Sequence, residues 1–294
     1  MLEKTTVEIL ERIRTPFYFY DMELLAATVD RIVSLSSKYD INVHYAVKAN
    51  VDRRIMEYIS SSGLGADCVS GNEVLYAIEC GFGPDNTVFA GVGKSDREIY
   101  SALKAGISSF NCESLQEMFV IDAMAGALGL KANVSARINP DIDAHTHKYV
   151  TTGLSENKFG ISSHEFNDLT EMIGRCNNIN FTGLHFHIGS QITEVSDVFS
   201  LEARRVNEIV TYFENTGLEI KNVDFGGGLG VDYEEPDENS IPDFDKWFKA
   251  IVSNYPRRPG QHLHIEPGRA VVAQCGTLVS RVLFVKIGET KTFL

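Results

Sequence analysis

The sequence predicts an α/β fold, a TIM-type (β/α)8 barrel, and three observations carry the prediction. Eight short, apolar, β-branched runs recur along the 294 residues, and each of the seven gaps between them holds one stretch of helical period. Strands alternating with single helices imply βαβ crossovers and a parallel sheet. Eight units are what a closed barrel requires, whereas open doubly wound sheets carry roughly five to seven strands. At 44% hydrophobic and 23% charged, the chain has apolar mass for one large core.

The strand candidates, in order, are Val43–Ala49, Gly65–Ser70, Val88–Val92, Ser108–Glu113, Ala132–Asn139, Phe181–Ser190, Asn222–Gly228 and His262–Gly268. Between them lie helix candidates at Arg53–Ser61, Asn72–Cys80, Ser95–Ala105, Ser114–Leu128, Ser163–Cys176, Val195–Asn215 and Asp243–Asn254, with an additional helix, Met22–Tyr39, ahead of the first run. Ser95 is followed three residues later by Glu98, and Ser114 by Glu117, the spacing of a reciprocal capping box. Both ends depart from the alternation. Phe17–Tyr20 (FYFY) reads as a strand before the first helix, and Val271–Ile287 has β character with no helix after it. These ends are expected to belong to a separate β module, the second piece being cut mid-strand. The expected division is a segment 1–21, a barrel over 22–268 and the truncated start of a C-terminal β domain over 269–294.

Lys plus Arg number 27 against 40 Asp plus Glu, a formal net charge of −13. Such a chain has no electrostatic footprint for nucleic acid or for an anionic membrane surface. No stretch approaches the roughly 18 consecutive apolar residues of a membrane span. The opening MLEKTTVEILERIR has charges of both signs and no apolar centre, unlike a secretory signal. The five cysteines (Cys68, Cys80, Cys112, Cys176, Cys275) are odd in number and lack a C-x-x-C pair. That argues against a disulfide scaffold or structural zinc and for a reducing, cytoplasmic setting.

In a barrel, functional groups gather at strand ends. The ends of the eight runs carry Lys48, Asp67, Arg137, His187 with Gly189 and Ser190, Gly226–Gly228, and Glu266 with Gly268 and Arg269. Three successive glycines after Asp224 and Phe225 let backbone N–H groups approach a phosphate, and equally suit a tight turn with positive φ. The turn is neither a dinucleotide fingerprint nor a P-loop, since no Gly-Lys-Ser/Thr follows. Glu266-Pro267-Gly268-Arg269 adds a guanidinium suited to bidentate contact with phosphate or carboxylate. Phosphate sites built from the loops after strands 7 and 8 recur in barrels, and both motifs fall there. Lys48 lies in an apolar run, where desolvation would lower its pKa and make the amine nucleophilic. Glu266 shares strand parity with His262 and His264. His185 and His187 share a face too; with no third ligand or H-E-x-x-H in the sequence, a ring-stacking role is preferred over zinc, and no metal is expected.

Taken together, YAVKAN (Tyr45–Asn50), CVSGNE (Cys68–Glu73), RINP (Arg137–Pro140), KFGI (Lys158–Ile161), HIGSQ (His187–Gln191), GGG and EPGR resemble, in order, the motifs of the fold-type III pyridoxal-phosphate decarboxylases. This is the ornithine/diaminopimelate/arginine decarboxylase family, with alanine racemase a distant member, and the likeness is greatest to its diaminopimelate decarboxylases. The resemblance implies pyridoxal 5′-phosphate as cofactor, with Lys48 as the catalytic, Schiff-base lysine. It implies that His187 stacks on the cofactor ring, that Ser190, Gly226, Gly227 and Gly228 hold its phosphate, and that Glu266, leading into Pro267 and Gly268, pairs with the pyridine nitrogen. Arg269 would meet the phosphate region and a substrate carboxylate, with Asp67 and Arg137 in support. Glu266 favours a decarboxylase over a racemase, since racemases of this fold set an arginine against that nitrogen.

The implied reaction is decarboxylation of meso-2,6-diaminopimelate at its D-configured centre, giving L-lysine and CO2. Another basic amino acid or carboxynorspermidine is the alternative substrate, and an inactive cofactor-binding homologue the non-enzyme alternative. The family also implies a homodimer whose subunits share active sites, and a Cys-Glu-Ser element supplied by the β domain. Cys112-Glu113-Ser114 is expected to be structural, since it sits at the fourth barrel strand and opens a helix. Asn72, where relatives carry glycine, leaves the assignment intact. His145 and His147 are expected in an active-site flap.

Overall fold

The computed structural model describes residues 8–142 and 159–294, so the flap assignment of His145 and His147 lies outside the described residues. Ahead of the barrel come β1 (Phe17–Tyr20) and α1 (Met22–Tyr39). The barrel itself is β2 (Ile41–Ala46), β3 (Gly65–Cys68), β4 (Thr87–Phe89), β5 (Ser109–Cys112), β6 (Ala132–Arg137), β7 (Ile179–His185), β8 (Asn222–Asp224) and β9 (His262–Ile265). These strands are parallel and hydrogen-bonded in sequence order, and β2 closes the ring on β9 through Val43↔Ile265. The predicted barrel and its eight strand positions are observed. The strands end one to five residues earlier than the apolar runs, because the runs continue into the loops that carry polar side chains.

The crossovers are single helices: α2 (Arg53–Ser61), α3 (Gly71–Glu79), α4 (Asp96–Ala105), α5 (Leu115–Ala127), α6 (Phe166–Arg175), α7 (Val195–Asn215) and α8 (Phe244–Asn254). Helices on the outside and side chains inside cover both faces of each strand, which is why β3 and β5 are buried at every position. In α1, Leu25, Val29, Ile32 and Leu35 recur at helical spacing and are buried, and the Asp21 carboxylate caps the first turn by accepting from Leu24 N at 2.9 Å. Under α7 and α8, Phe199, Phe213, Phe244, Trp247 and Phe248 fill the outer layer.

The box predicted at Ser95 is present in full. At Ser114 only half of it forms: Ser114 Oγ accepts from Glu117 N, but the Glu117 carboxylate reaches past the cap to Glu113 N (2.9 Å) and binds Lys94 Nζ (2.6 Å). A buried ammonium outcompetes the ordinary capping arm.

The two end runs find each other. β1 pairs antiparallel with β10 (Gly276–Val279), from Phe17↔Val279 to Tyr20↔Gly276, so residues on either side of the barrel form one ribbon beside its mouth. The continuous β reading of Val271–Ile287 is corrected: α9 (Arg269–Val272) is a short helix whose Ala270, Val271 and Val272 are buried, and only Gly276–Val279 is strand before β11 (Lys286–Ile287), which pairs with β12 (Thr292–Phe293).

Candidate active site

The C-terminal ends of the strands open into a cavity of about 890 Å³ lined by Lys48, Asp67, Arg137, His185, His187, Ser190, Gly228, Glu266, Gly268 and Arg269, with tyrosines from β1 and the loop bearing Tyr233 at its edge. Lys48 sits on a single 3-10 turn, Val47–Ala49, immediately after β2. Its Nζ donates to Asp67 Oδ2 at 2.9 Å, while half of its side-chain surface faces the open mouth (49%). The expectation of a lowered pKa is not met. Burial does pull the amine down, but the charges of Asp67 and Glu266 and the hydrogen bond to Asp67 outweigh it, so Lys48 is held above the usual lysine value. Asp67 is itself buried and pushed up by desolvation and by Glu266, and its Oδ1 has no partner among the described residues.

Glu266 is deep in the barrel. His185 Nε2 meets its Oε2 at 3.0 Å, and Asn111 Nδ2 approaches Oε1 at 3.4 Å. Burial pushes this carboxyl up, yet His185, Lys48 and His187 together hold it well below the usual carboxylate range. Asp224, beside it, is driven well above its usual value by burial and by the Glu266 charge. His185, Asp224 and Glu266 place one potential ligand atom each within 4.8 Å of one another, so the third ligand type that the sequence pattern lacked is present in space. Those atoms are engaged with the protein, His185 with Glu266 and Asp224 Oδ1 with Gly226 N at 2.8 Å.

His187 lies at the cavity wall, and its Nδ1 accepts from Gly227 N at 3.1 Å, which fixes that nitrogen as unprotonated. Burial first, then Arg137 and Lys48, hold the ring well below its usual pKa, so it is a neutral, flat surface. The glycines divide. Gly226 and Gly227 spend their N–H groups on Asp224 and His187, and only Gly228 lines the cavity. What the first two supply is closeness: a Cβ would stand 2.3 Å from Phe186 O at Gly226 and 2.3 Å from Glu266 O at Gly227. At Gly226 a positive φ of 67° adds to the requirement for glycine. Pro267 lies outside the cavity lining, and its carbonyl accepts from Ala46 N, docking the β9 loop on β2.

Arg269 donates from Nη1 to Tyr233 Oη at 2.6 Å, and its buried Nε has no acceptor among the described residues. Arg137, at the end of β6, is buried against Glu113 (2.7 Å) and Phe159 (4.7 Å to the ring). Cys112-Glu113-Ser114 is more than a helix start. Ser114 is the cap and the Cys112 thiol is buried and pushed well above its usual pKa, but the Glu113 carboxylate also accepts from Gly91 N (3.1 Å) and Gly160 N (3.0 Å), joining the loops after β4, β5 and β6. Sequence reasoning missed Glu113, Asp224, Tyr233 and the function of His185. Strand parity with the predicted residues was an available signal for Asp224 and His185; none existed for Glu113 and Tyr233, whose contacts join loops from neighbouring strands.

The donor set fits pyridoxal phosphate. An amine that can form an imine lies between a buried, ionised carboxylate suited to a pyridine N–H and a wall of Ser190, Gly228 and Arg269, where an unaccepted guanidinium N–H awaits an anion. A lysine-bearing barrel of this kind defines a pyridoxal-phosphate enzyme with its cofactor at the strand ends. Residues 25–273 match the family described as "Pyridoxal-dependent decarboxylase, pyridoxal binding domain", and the chain belongs to it. This is a family of pyridoxal-phosphate-dependent carboxy-lyases. The chain is 46% identical over 288 residues to a Bacteroides thetaiotaomicron protein named diaminopimelate decarboxylase, covering 98% of this chain and 74% of that one. The diaminopimelate decarboxylase of Helicobacter pylori, solved with L-lysine, is 35% identical with a TM-score of 0.85, covering 98% of this chain and 71% of that one. The M. jannaschii diaminopimelate decarboxylase, also solved with L-lysine, is 32% identical with a TM-score of 0.87 (98% and 68%). A Paramecium bursaria Chlorella virus arginine decarboxylase, at 22% identity and a TM-score of 0.81 (97% and 72%), shares the fold.

Proposed function

We propose that the chain carries the cofactor site of a diaminopimelate decarboxylase, converting meso-2,6-diaminopimelate to L-lysine and CO2. The observation that carries the reading is the convergence in one cavity of the Lys48 amine, the Glu266 carboxylate and the Ser190–Gly228–Arg269 wall. The names of the relatives, and the L-lysine in two of the similar structures, favour diaminopimelate among the family's substrates.

Bound pyridoxal phosphate supplies the electron sink for the charge left on the α-carbon when CO2 departs. Lys48 would be the residue that holds the cofactor, and Asp67 keeps its Nζ in register. Because Asp67 and Glu266 favour the protonated form of Lys48, the amine must give up a proton before it can bond to carbon, and Asp67 Oδ2 at 2.9 Å is placed to take it. The neutral face of His187 packs on the ring. Glu266 accepts the ring N–H, Ser190, Gly228 and Arg269 hold the phosphate, and Arg269 with Arg137 supplies positive charge for substrate carboxylates. We also propose a cytoplasmic homodimer, in keeping with five cysteines free of disulfide partners; sedimentation of the protein checks the oligomeric state. The decisive assay compares turnover of meso-diaminopimelate, ornithine, arginine and carboxynorspermidine by the whole protein. Lysine release with the other three inert is expected, and preference for any other amine would replace the substrate assignment.

A further inference from the structure

The reading of Glu266 as the partner of the ring nitrogen leaves a question that the barrel interior answers. A carboxylate accepts a pyridinium N–H only while it is ionised, and Glu266 is buried next to a second buried carboxyl, Asp224. Two such groups in a low-dielectric site do not both ionise; one of them keeps a proton. Whether the proton resides on Glu266 or on Asp224 therefore decides whether Glu266 is an acceptor or a donor. The side chains differ in one strong contact. His185 Nε2 stands 3.0 Å from Glu266 Oε2, both groups being almost wholly buried, while Asp224 Oδ1 takes only the Gly226 N–H at 2.8 Å. The register Arg137↔His185↔Asp224 places His185 at the end of β7, laterally beside Asp224 on β8, while Glu266 follows the next strand, β9. Among the described residues His185 Nδ1 is buried without a partner, and the ring's hydrogen bond there is through Nε2. The second oxygen of Glu266 meets Asn111 Nδ2 at 3.4 Å, longer than an ordinary hydrogen bond, and the carboxyl also shares a side-chain hydrogen bond with Asp224, the geometry of two groups that hold one proton between them.

We propose that His185 is a positioning residue for the cofactor's ring nitrogen: by donating from Nε2 to Glu266 it places the shared proton on Asp224 and leaves Glu266 as the ionised acceptor. This rests on the Glu266 assignment above and adds to it the residue that enforces it. Lys48 and His187 reinforce the same bias from the mouth, and Asn111 touches the other oxygen.

The test is the 15N chemical shift of the ring nitrogen in the protein reconstituted with pyridoxal phosphate labelled there, a reading independent of turnover. His185→Gln and His185→Asn are similar in polarity and differ in reach. The glutamine amide extends to the Nε2 position and the asparagine amide only to that of Nδ1. Wild type and His185→Gln are expected at the protonated pyridinium position, with His185→Asn displaced toward the unprotonated pyridine by most of the separation between them. Equal shifts in the two variants would overturn the proposal. Glu266→Gln separates the two layers. If it displaces the resonance while His185→Asn does not, His185 has no such function and the Glu266 reading stands. If Glu266→Gln leaves the resonance unmoved, the Glu266 reading fails and this inference with it.

Discussion

Glu113 is the residue through which three active-site loops depend on one carboxylate. Both members of the Arg137–Glu113 pair are buried, with side-chain exposures of 8% and 3%, at a separation of 2.7 Å. The same carboxylate receives Gly91 N at 3.1 Å and Gly160 N at 3.0 Å. In Glu113→Gln the size is kept and one oxygen still accepts, but the amide nitrogen cannot, and the charge opposite Arg137 is lost. Removing one partner of a buried ion pair costs about 3–5 kcal/mol. The retained oxygen puts the glutamine near the low end, about 3 kcal/mol. For a chain of this size that lowers Tm by roughly 6–12 °C. Thermal unfolding followed by circular dichroism measures it, with pyridoxal phosphate titration reporting whether Arg137 and the loops have moved. The double variant Glu113→Leu with Arg137→Met, which removes both charges, should recover most of the stability lost in Glu113→Leu alone, since neither side is left buried and unpaired. A Tm for Glu113→Gln within about 2 °C of wild type, with unchanged cofactor affinity, would show that the clamp carries no energy and refute the reasoning.

Gly227→Ala sets a Cβ 2.3 Å from the Glu266 carbonyl oxygen, which is backbone and cannot rotate away; pyridoxal phosphate affinity should fall at least about tenfold, a displacement worth only about 1.4 kcal/mol, and a binding isotherm checks it. Asp67→Asn removes two of the three influences that raise Lys48, leaving Glu266 alone against burial and Arg137; the pH midpoint for capture of pyridoxal phosphate by the cofactor-free protein should move downward, as a pH series of capture rates checks. His264, stacked on His44 at 5.3 Å, is lowered to about 3 by burial, with His44 and His262 adding to the effect. A histidine depressed in the folded state contributes stability above its unfolded value near 6.5 and loses it as pH falls toward the folded one. Urea midpoints should therefore drop between pH 6 and 4, and His264→Gln should flatten that slope by close to one proton.

Much of this architecture was legible because a barrel is written locally. Each βα unit announces itself by a short β-branched run and an amphipathic helix, and the ring closes once eight units are present; the polar residue ending each run then falls at the mouth. Lys48, Glu266 and Arg269 were found that way. What the sequence did not disclose depends on contacts between neighbouring strands and loops that are distant in sequence. Glu113 looked like a helix entrance because its three acceptor contacts come from residues 22, 24 and 47 positions away. The rise of the Lys48 pKa, opposite to the expectation from an apolar run, comes from carboxylates on β3 and after β9 that only closure brings together. Gly226 and Gly227 were read as phosphate donors, and their N–H groups prove to be consumed by Asp224 and His187, a competition invisible without coordinates. The helical turn at Arg269–Val272 overrode its β propensity because Ala270, Val271 and Val272 are buried there.

The central claim is that Lys48, in this cavity, holds pyridoxal phosphate. Borohydride reduction of the protein with pyridoxal phosphate, followed by peptide mass mapping, tests it most directly. A single pyridoxyl adduct on the peptide bearing Lys48, absent from Lys48→Ala, is the predicted result. An adduct on another lysine, or the same yield of site-specific adduct from Lys48→Ala, would contradict it.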